Sequence, residues 1–128
     1  MSWDVYVMRM PPGAADVSQI PDDFELPVLG SAGEVRERIH QVVPAVDWGD
    51  PKWGRLEGKG WSMELNLGKD PTYSLMLHVR GGGDGAVEAV RLVAGALDAD
   101  PIDMSTGAPA VPAGWEEWQL YRDRTIGQ

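Results

Sequence analysis

Residues 61–67 alternate strictly between apolar and polar side chains, directly after the reversal Gly58-Lys-Gly60. The apolar positions are the odd ones, Trp61, Met63, Leu65 and Leu67. A repeat of two indicates a β-strand with one buried and one open face. This segment therefore requires a sheet that is covered by other elements on one side only.

The glycine-flanked reversal predicts a β-hairpin with the two-residue turn Lys59-Gly60. In that register Leu56 lies opposite Met63. Arg55 lies opposite Glu64. The apolar pair is therefore on one face of the hairpin and the charged pair on the other, so each face has a uniform character. The strand that precedes the turn therefore pairs antiparallel with residues 61–67.

Further elements follow from the same kind of pattern. Alternation predicts strands at residues 3–9 and 73–80, the latter with Tyr73 on its apolar stripe. The capping box Ser31-Ala-Gly-Glu34 opens a helix that Pro44 ends. Asp84 is positioned to cap a second helix running to about Leu97. Residues 101–104 and 115–126 suggest a last strand and a terminal helix.

The resulting order is β-α-β-β-β-α-(β)-(α). It predicts an α+β fold with a largely antiparallel sheet and two main helices packed on one face. A length of 128 residues with 43% hydrophobic residues fits one globular domain spanning residues 1–128. Segment 108–128 is predicted to dock on that domain as a helix.

Charge and composition exclude several classes of function. The chain has no cysteine, so disulfides, thiolate catalysis and Cys-ligated metal centres are absent. A formal net charge of −9 without a basic run opposes nucleic-acid binding. The start of the chain has no signal-peptide pattern, and no apolar run is long enough to cross a bilayer. We expect a soluble cytoplasmic protein without a cofactor, and a basic protein as its partner. The alternative is that the acidic charge only keeps the protein soluble.

Two motifs suggest ligands but are better explained as turns. Gly81-x-Gly83-x-x-Ala86 follows a strand and opens a helix, as a dinucleotide fingerprint does. The preceding strand belongs to a predicted antiparallel meander and not to a parallel βαβ unit. In addition, Asp84 places a negative charge at the expected pyrophosphate position. Asp47 and Asp50, even with His40, lack metal-ligand spacing, so we predict no metal site.

The polar face of the sheet carries the candidates for catalysis. In the predicted register five side chains point the same way, namely Arg55, Glu57, Glu64, His78 and Arg80. His78 is then near Ser62 and one diagonal step from Glu64, and the candidate catalytic residues are Glu64, His78 and Arg80. A histidine beside a carboxylate can act as a general base, and the cations can hold an anion. The alternative is an ordinary cross-strand ion pair beside a solvated histidine.

Tryptophan supplies the candidates for binding. Six tryptophans against one phenylalanine is an unusual balance, and such large side chains are seldom all hidden. Exposed tryptophan near carboxylates is typical of a protein interface or a sugar-binding platform, and core packing is the alternative for each one. The candidate binding residues are Trp48, Asp50, Trp53 and Trp118.

Several segments together resemble a family of small bacterial proteins of unknown function. They are Met1-Ser-Trp-Asp-Val-Tyr-Val, Ile20-Pro-Asp-Asp-Phe24, Asp50-Pro-Lys-Trp-Gly54, Ser62-Met-Glu-Leu-Asn-Leu-Gly68 and His78-Val-Arg-Gly-Gly82. The resemblance covers the chain up to about Gly107. It implies a bacterial cytoplasmic protein and carries over no catalytic residue.

Three functions remain open. The first is a non-enzymatic acidic protein-binding module, because immunity proteins that neutralise basic toxins have this size and charge. The second is a small-molecule binder or minor enzyme that uses the face around Glu64 and His78. The third is an oligomer formed through the aromatic stripe between Trp115 and Tyr121.

Overall fold

The computed structural model describes residues 2–11, 13–14, 17–81, 83–107 and 110. These residues form six strands and two α-helices, besides a single 3₁₀ turn at Val17–Gln19. The order is β1 (Ser2–Met8), α1 (Ala32–Val42), β2 (Asp47–Asp50), β3 (Trp53–Gly58), β4 (Trp61–Asn66), β5 (Leu75–Gly81), α2 (Asp84–Ala96) and β6 (Asp100–Asp103). The predicted α+β class is confirmed.

All six strands join one antiparallel sheet in the order β2-β3-β4-β5-β1-β6. The first strand of the chain therefore lies inside the sheet, between β5 and β6. Strands β4, β5, β1 and β6, together with the two helices, have the order of a β-α-β-β-α-β motif. The β2–β3 hairpin extends this motif at its β4 edge.

The hairpin predicted at Lys59-Gly60 is confirmed. Leu56 lies opposite Met63, and Arg55 lies opposite Glu64. Gly60 has a φ of +80°, a left-handed conformation that glycine adopts without a steric cost.

Both helices cover the same face of the sheet. The capping box at Ser31 and Glu34 is present at the start of α1, as predicted. Buried side chains of α1 and α2 share one core with the odd-numbered residues of β4 and β5. Within the core are Val35, Ile39, Val90, Val93, Met63, Leu65, Leu77 and Val79. The even-numbered residues of the same strands therefore form the opposite, open face.

The indole of Trp61 packs against two glycines, Gly58 in β3 and Gly85 in α2. A Cβ atom on Gly58 would lie 2.1 Å from Cε2 of Trp61, and one on Gly85 would lie 2.7 Å from its Nε1. Only glycine leaves room for the indole at these places, since a methyl group would overlap it. The half-buried indole packs against the core between β3 and the first turn of α2.

The structure differs from the predicted elements in three places. Residues 47–50 form the edge strand β2, where the sequence predicts a loop. β5 begins at Leu75, so Tyr73 precedes the strand and its side chain is 45% exposed. Asp84 is the first helical residue of α2, and Gly83 occupies the N-cap without a side-chain hydrogen bond.

The predicted terminal helix and Trp118 lie outside the described residues. Among the residues that are described, no helix is long and apolar enough to span a membrane.

Candidate functional site

The open face of the sheet carries a row of charged side chains across four strands. Pairing register aligns Arg55 on β3, Glu64 on β4, His78 on β5 and Asp4 on β1. Arg55 Nη2 lies 3.9 Å from Glu64 Oε1, and His78 Nδ1 lies 2.9 Å from Asp4 Oδ1. The row alternates basic and acidic residues, with an Arg55–Glu64 ion pair at one end and a His78–Asp4 hydrogen bond at the other.

His78 has a fixed position in this row. Its Nδ1 is held by Asp4, and its ring lies beside the indole of Trp53 with a centroid separation of 6.4 Å and an interplanar angle of 24°. That separation is typical of an offset aromatic stack. Asp4 orients the imidazole as a carboxylate orients a general base. Ser62 lies opposite Arg80, two residues along the strands from the Glu64–His78 pair, so its hydroxyl does not face the imidazole directly.

The sequence-derived pairing of β4 with β5 was wrong by two residues along the strands. It placed His78 near Ser62, whereas the structure places His78 directly opposite Glu64 and Arg80 opposite Ser62. The three candidates Glu64, His78 and Arg80 do share the open face, as predicted. The connection between β4 and β5 determines which residues pair. The alternation of apolar and polar residues does not, because it is the same after a shift of two residues.

A cleft of about 460 Å³ opens at the β2–β3 end of this face. It is lined by Asp47, Gly49, Asp50, Trp53 and Arg55. Trp53 is 40% exposed. Within the part of the chain that the structure describes, neither Asp47 nor Asp50 forms an ion pair. Two carboxylates and an indole are therefore available to a cationic group.

Backbone contacts hold the wall of this cleft. Asp50 Oδ1 accepts a hydrogen bond from the Lys52 amide at 2.8 Å, which closes the turn between β2 and β3. Arg36 on α1 donates to the Pro51 carbonyl at 2.6 Å. The Leu67 amide donates to the Lys52 carbonyl at 2.9 Å. Hydrogen bonds thus hold the turn to α1 and to Leu67, the residue after β4, so the acidic wall is preorganised.

The four candidate binding residues are not all brought together. Asp50 and Trp53 both line the cleft. Trp48 is half-buried and packs against the core on the helix side, close to Gly54, so we leave it out of the binding surface. The sequence predicted Arg55 as a cation on the polar face and Asp47 as a turn residue, and it assigned no role to Asp4. The alternation of residues 3–9 was the only signal available for Asp4.

Two carboxyl groups outside the cleft have lowered pKa values because of local hydrogen bonds. The hydroxyl of Ser105 donates to Asp103, and together with the Ser105 amide and the Trp3 indole it lowers the pKa of Asp103. Arg91 donates to Glu88 and lowers the pKa of that carboxyl. Both carboxylates are engaged in structure, so neither is a candidate for binding a partner.

The described ranges contain no group of three residues that could hold a metal ion. Comparisons with family models, with curated proteins and with solved structures found no match. The resemblance to small bacterial proteins therefore stays a prediction.

Proposed function

We propose that this chain is a non-enzymatic acidic protein-binding module that docks a basic protein on the open face of its sheet. The observation that carries the proposal is Trp53, an exposed indole at the sheet edge beside Asp47 and Asp50, which form no ion pair within the described residues. Tryptophan is enriched among the residues that dominate binding energy at protein interfaces. The proposal includes a cytoplasmic location.

Charge supports a basic partner. The chain has 20 acidic against 11 basic residues. A surplus of negative charge speeds the encounter with a basic protein and disfavours acidic competitors. Immunity proteins, which neutralise basic toxins, have a similar size and charge. By analogy, we extend the proposal to a basic toxin as the partner.

The shape of the face supports a macromolecule. The charged row crosses four strands, and the cleft beside it is an open concavity at the edge of the sheet. Small ligands are usually bound in enclosed pockets that bury most of their surface. A broad surface with one aromatic anchor and polar surroundings is typical of a protein interface.

We expect the double substitution Asp47→Asn with Asp50→Asn to weaken partner binding about tenfold. The asparagine at position 50 can still accept the hydrogen bond from Lys52, so the turn is retained. The measurement is capture from host lysate with salt-stepped elution, followed by titration of the captured basic protein.

The matched control is Asp22→Asn with Asp23→Asn, which removes the same charge from exposed positions in the β1–α1 connection. If the control weakens binding as much as the cleft variant does, net charge alone governs the interaction. The proposed site would then be wrong.

A second candidate function is favoured by the contact between His78 and Asp4. This pair lies beside Glu64 and could serve a small-molecule binder or minor enzyme, with His78 Nε2 as the proton acceptor. This alternative requires a ligand that raises the melting temperature of the wild type and fails to raise that of a folded His78→Ala variant. A screen in which no compound shifts the wild-type melting temperature would exclude it.

A further inference from the structure

We propose that the cleft formed by Asp47, Gly49, Asp50, Trp53 and Arg55 binds an arginine side chain of the partner in preference to a lysine. This inference rests on the proposed docking function and specifies which group of the basic protein occupies the cleft. It follows from the arrangement of a fixed aromatic plane, two carboxylates and one competing cation.

The aromatic plane is supplied by Trp53. Its indole is supported by the His78 ring at 6.4 Å, and His78 is itself anchored by Asp4. The remaining exposed surface of the indole offers a flat π-system in a held orientation. A guanidinium group is planar and weakly hydrated, so it stacks on such a surface at a lower desolvation cost than an ammonium group.

The carboxylates supply the hydrogen-bond acceptors. Asp50 and Trp53 are paired residues of β2 and β3, and Asp47 is paired with Arg55 two positions along β3. Asp50 Oδ1 is engaged by the Lys52 amide, which leaves Oδ2 for a ligand. A guanidinium stacked on the indole can direct its in-plane N–H groups to carboxylates at its edge. A lysine ammonium lacks that planar array of donors.

Arg55 makes the inference sensitive to the charge of the occupant. Its side chain is 62% exposed, lines the cleft, and is 3.9 Å from Glu64. It repels a cationic ligand and attracts an anionic one. Removing its charge therefore strengthens the binding of arginine, whereas it would weaken the binding of a carboxylate or phosphate.

The test uses two short glycine-rich peptides that are identical except for one central arginine or lysine, titrated at low ionic strength against the full chain. We expect the arginine peptide to bind the wild type about fivefold more tightly. Trp53→Ala should remove this difference. Arg55→Gln should raise the affinity for both peptides about threefold.

The control variant is Glu37→Gln, which removes one negative charge from an exposed position of α1 on the helix side of the sheet. It should leave the preference for arginine unchanged. Equal affinities for the two peptides, a preference that survives in Trp53→Ala, or weaker binding by Arg55→Gln would each overturn the inference.

The same variants separate this inference from the docking proposal. Capture of a basic protein that depends on Asp47 and Asp50, combined with equal peptide affinities, would overturn the arginine site alone. A clear arginine preference without capture of any basic protein would support the site and contradict the docking function.

Discussion

Replacing Trp53 with alanine is expected to weaken binding of the basic partner by about 2–4 kcal/mol, or roughly 30- to 900-fold. The indole is the exposed aromatic side chain of the cleft, and it lies beside the carboxylates of Asp47 and Asp50. Its loss removes apolar contact area and leaves the carboxylates without the surface that orients a bound cation. Isothermal titration with the captured partner measures the effect.

The matched control for Trp53→Ala is Tyr73→Ala. Tyr73 is 45% exposed, against 40% for Trp53, and it does not line the cleft. Both variants should retain the far-ultraviolet circular dichroism of the wild type, because each side chain lies outside the core cluster. Comparable losses of affinity in the two variants would show that exposed aromatic area, and not this cleft, determines binding.

Replacing Leu77 with alanine is expected to lower the free energy of unfolding by about 3–4 kcal/mol. Leu77 is fully buried in β5 and lies opposite Val5 on β1 and Leu65 on β4, which are also fully buried. The substitution leaves a cavity where the helix layer meets the centre of the sheet. Urea denaturation followed by circular dichroism measures the loss.

Met76→Ala tests the assignment of the two faces. Met76 is the neighbouring residue on β5, half-buried on the open face, and its truncation should cost less than about 1.5 kcal/mol. If the two substitutions destabilise the protein equally, the open face would be as closely packed as the helix side. That result would remove the surface on which the functional proposal depends.

The sequence predicted the elements whose patterns repeat and whose connections are tight. The β3–β4 hairpin was correct in register because Lys59-Gly60 permits only one close pairing that keeps Leu56 opposite Met63. The capping box at Ser31 was correct because its two hydrogen bonds are local. Both kinds of feature are determined within a few residues.

The alternation of apolar and polar residues did not determine the register between β4 and β5. Sliding one strand by two residues keeps every apolar side chain on the same face, so alternation cannot distinguish the pairing of His78 with Glu64 from its neighbours. The position of β1 is a long-range property for the same reason. The contact between His78 and Asp4, which joins residues 74 positions apart, depends on it.

The cleft could be predicted only in part. Asp50 and Trp53 were identified because a turn rich in aspartate and tryptophan is unusual, whereas β2 is too short to show an alternation. Trp48 follows Asp47 directly in β2, and its side chain lies on the helix side of the sheet, where it packs against the core. Adjacent residues of a strand face opposite sides, so the strand assignment decides which tryptophan can bind.

The central claim is that a basic protein docks on the open face of the sheet at the Trp53 cleft. Its most direct test is a map of amide and indole chemical-shift changes in the ¹⁵N-labelled chain when the captured partner is added. We predict the largest changes at the Trp53 indole N–H, at Asp47 and Asp50, and at Glu64 and His78 along the charged row. Changes confined to α1 and α2, with the Trp53 signal unmoved, would contradict the claim.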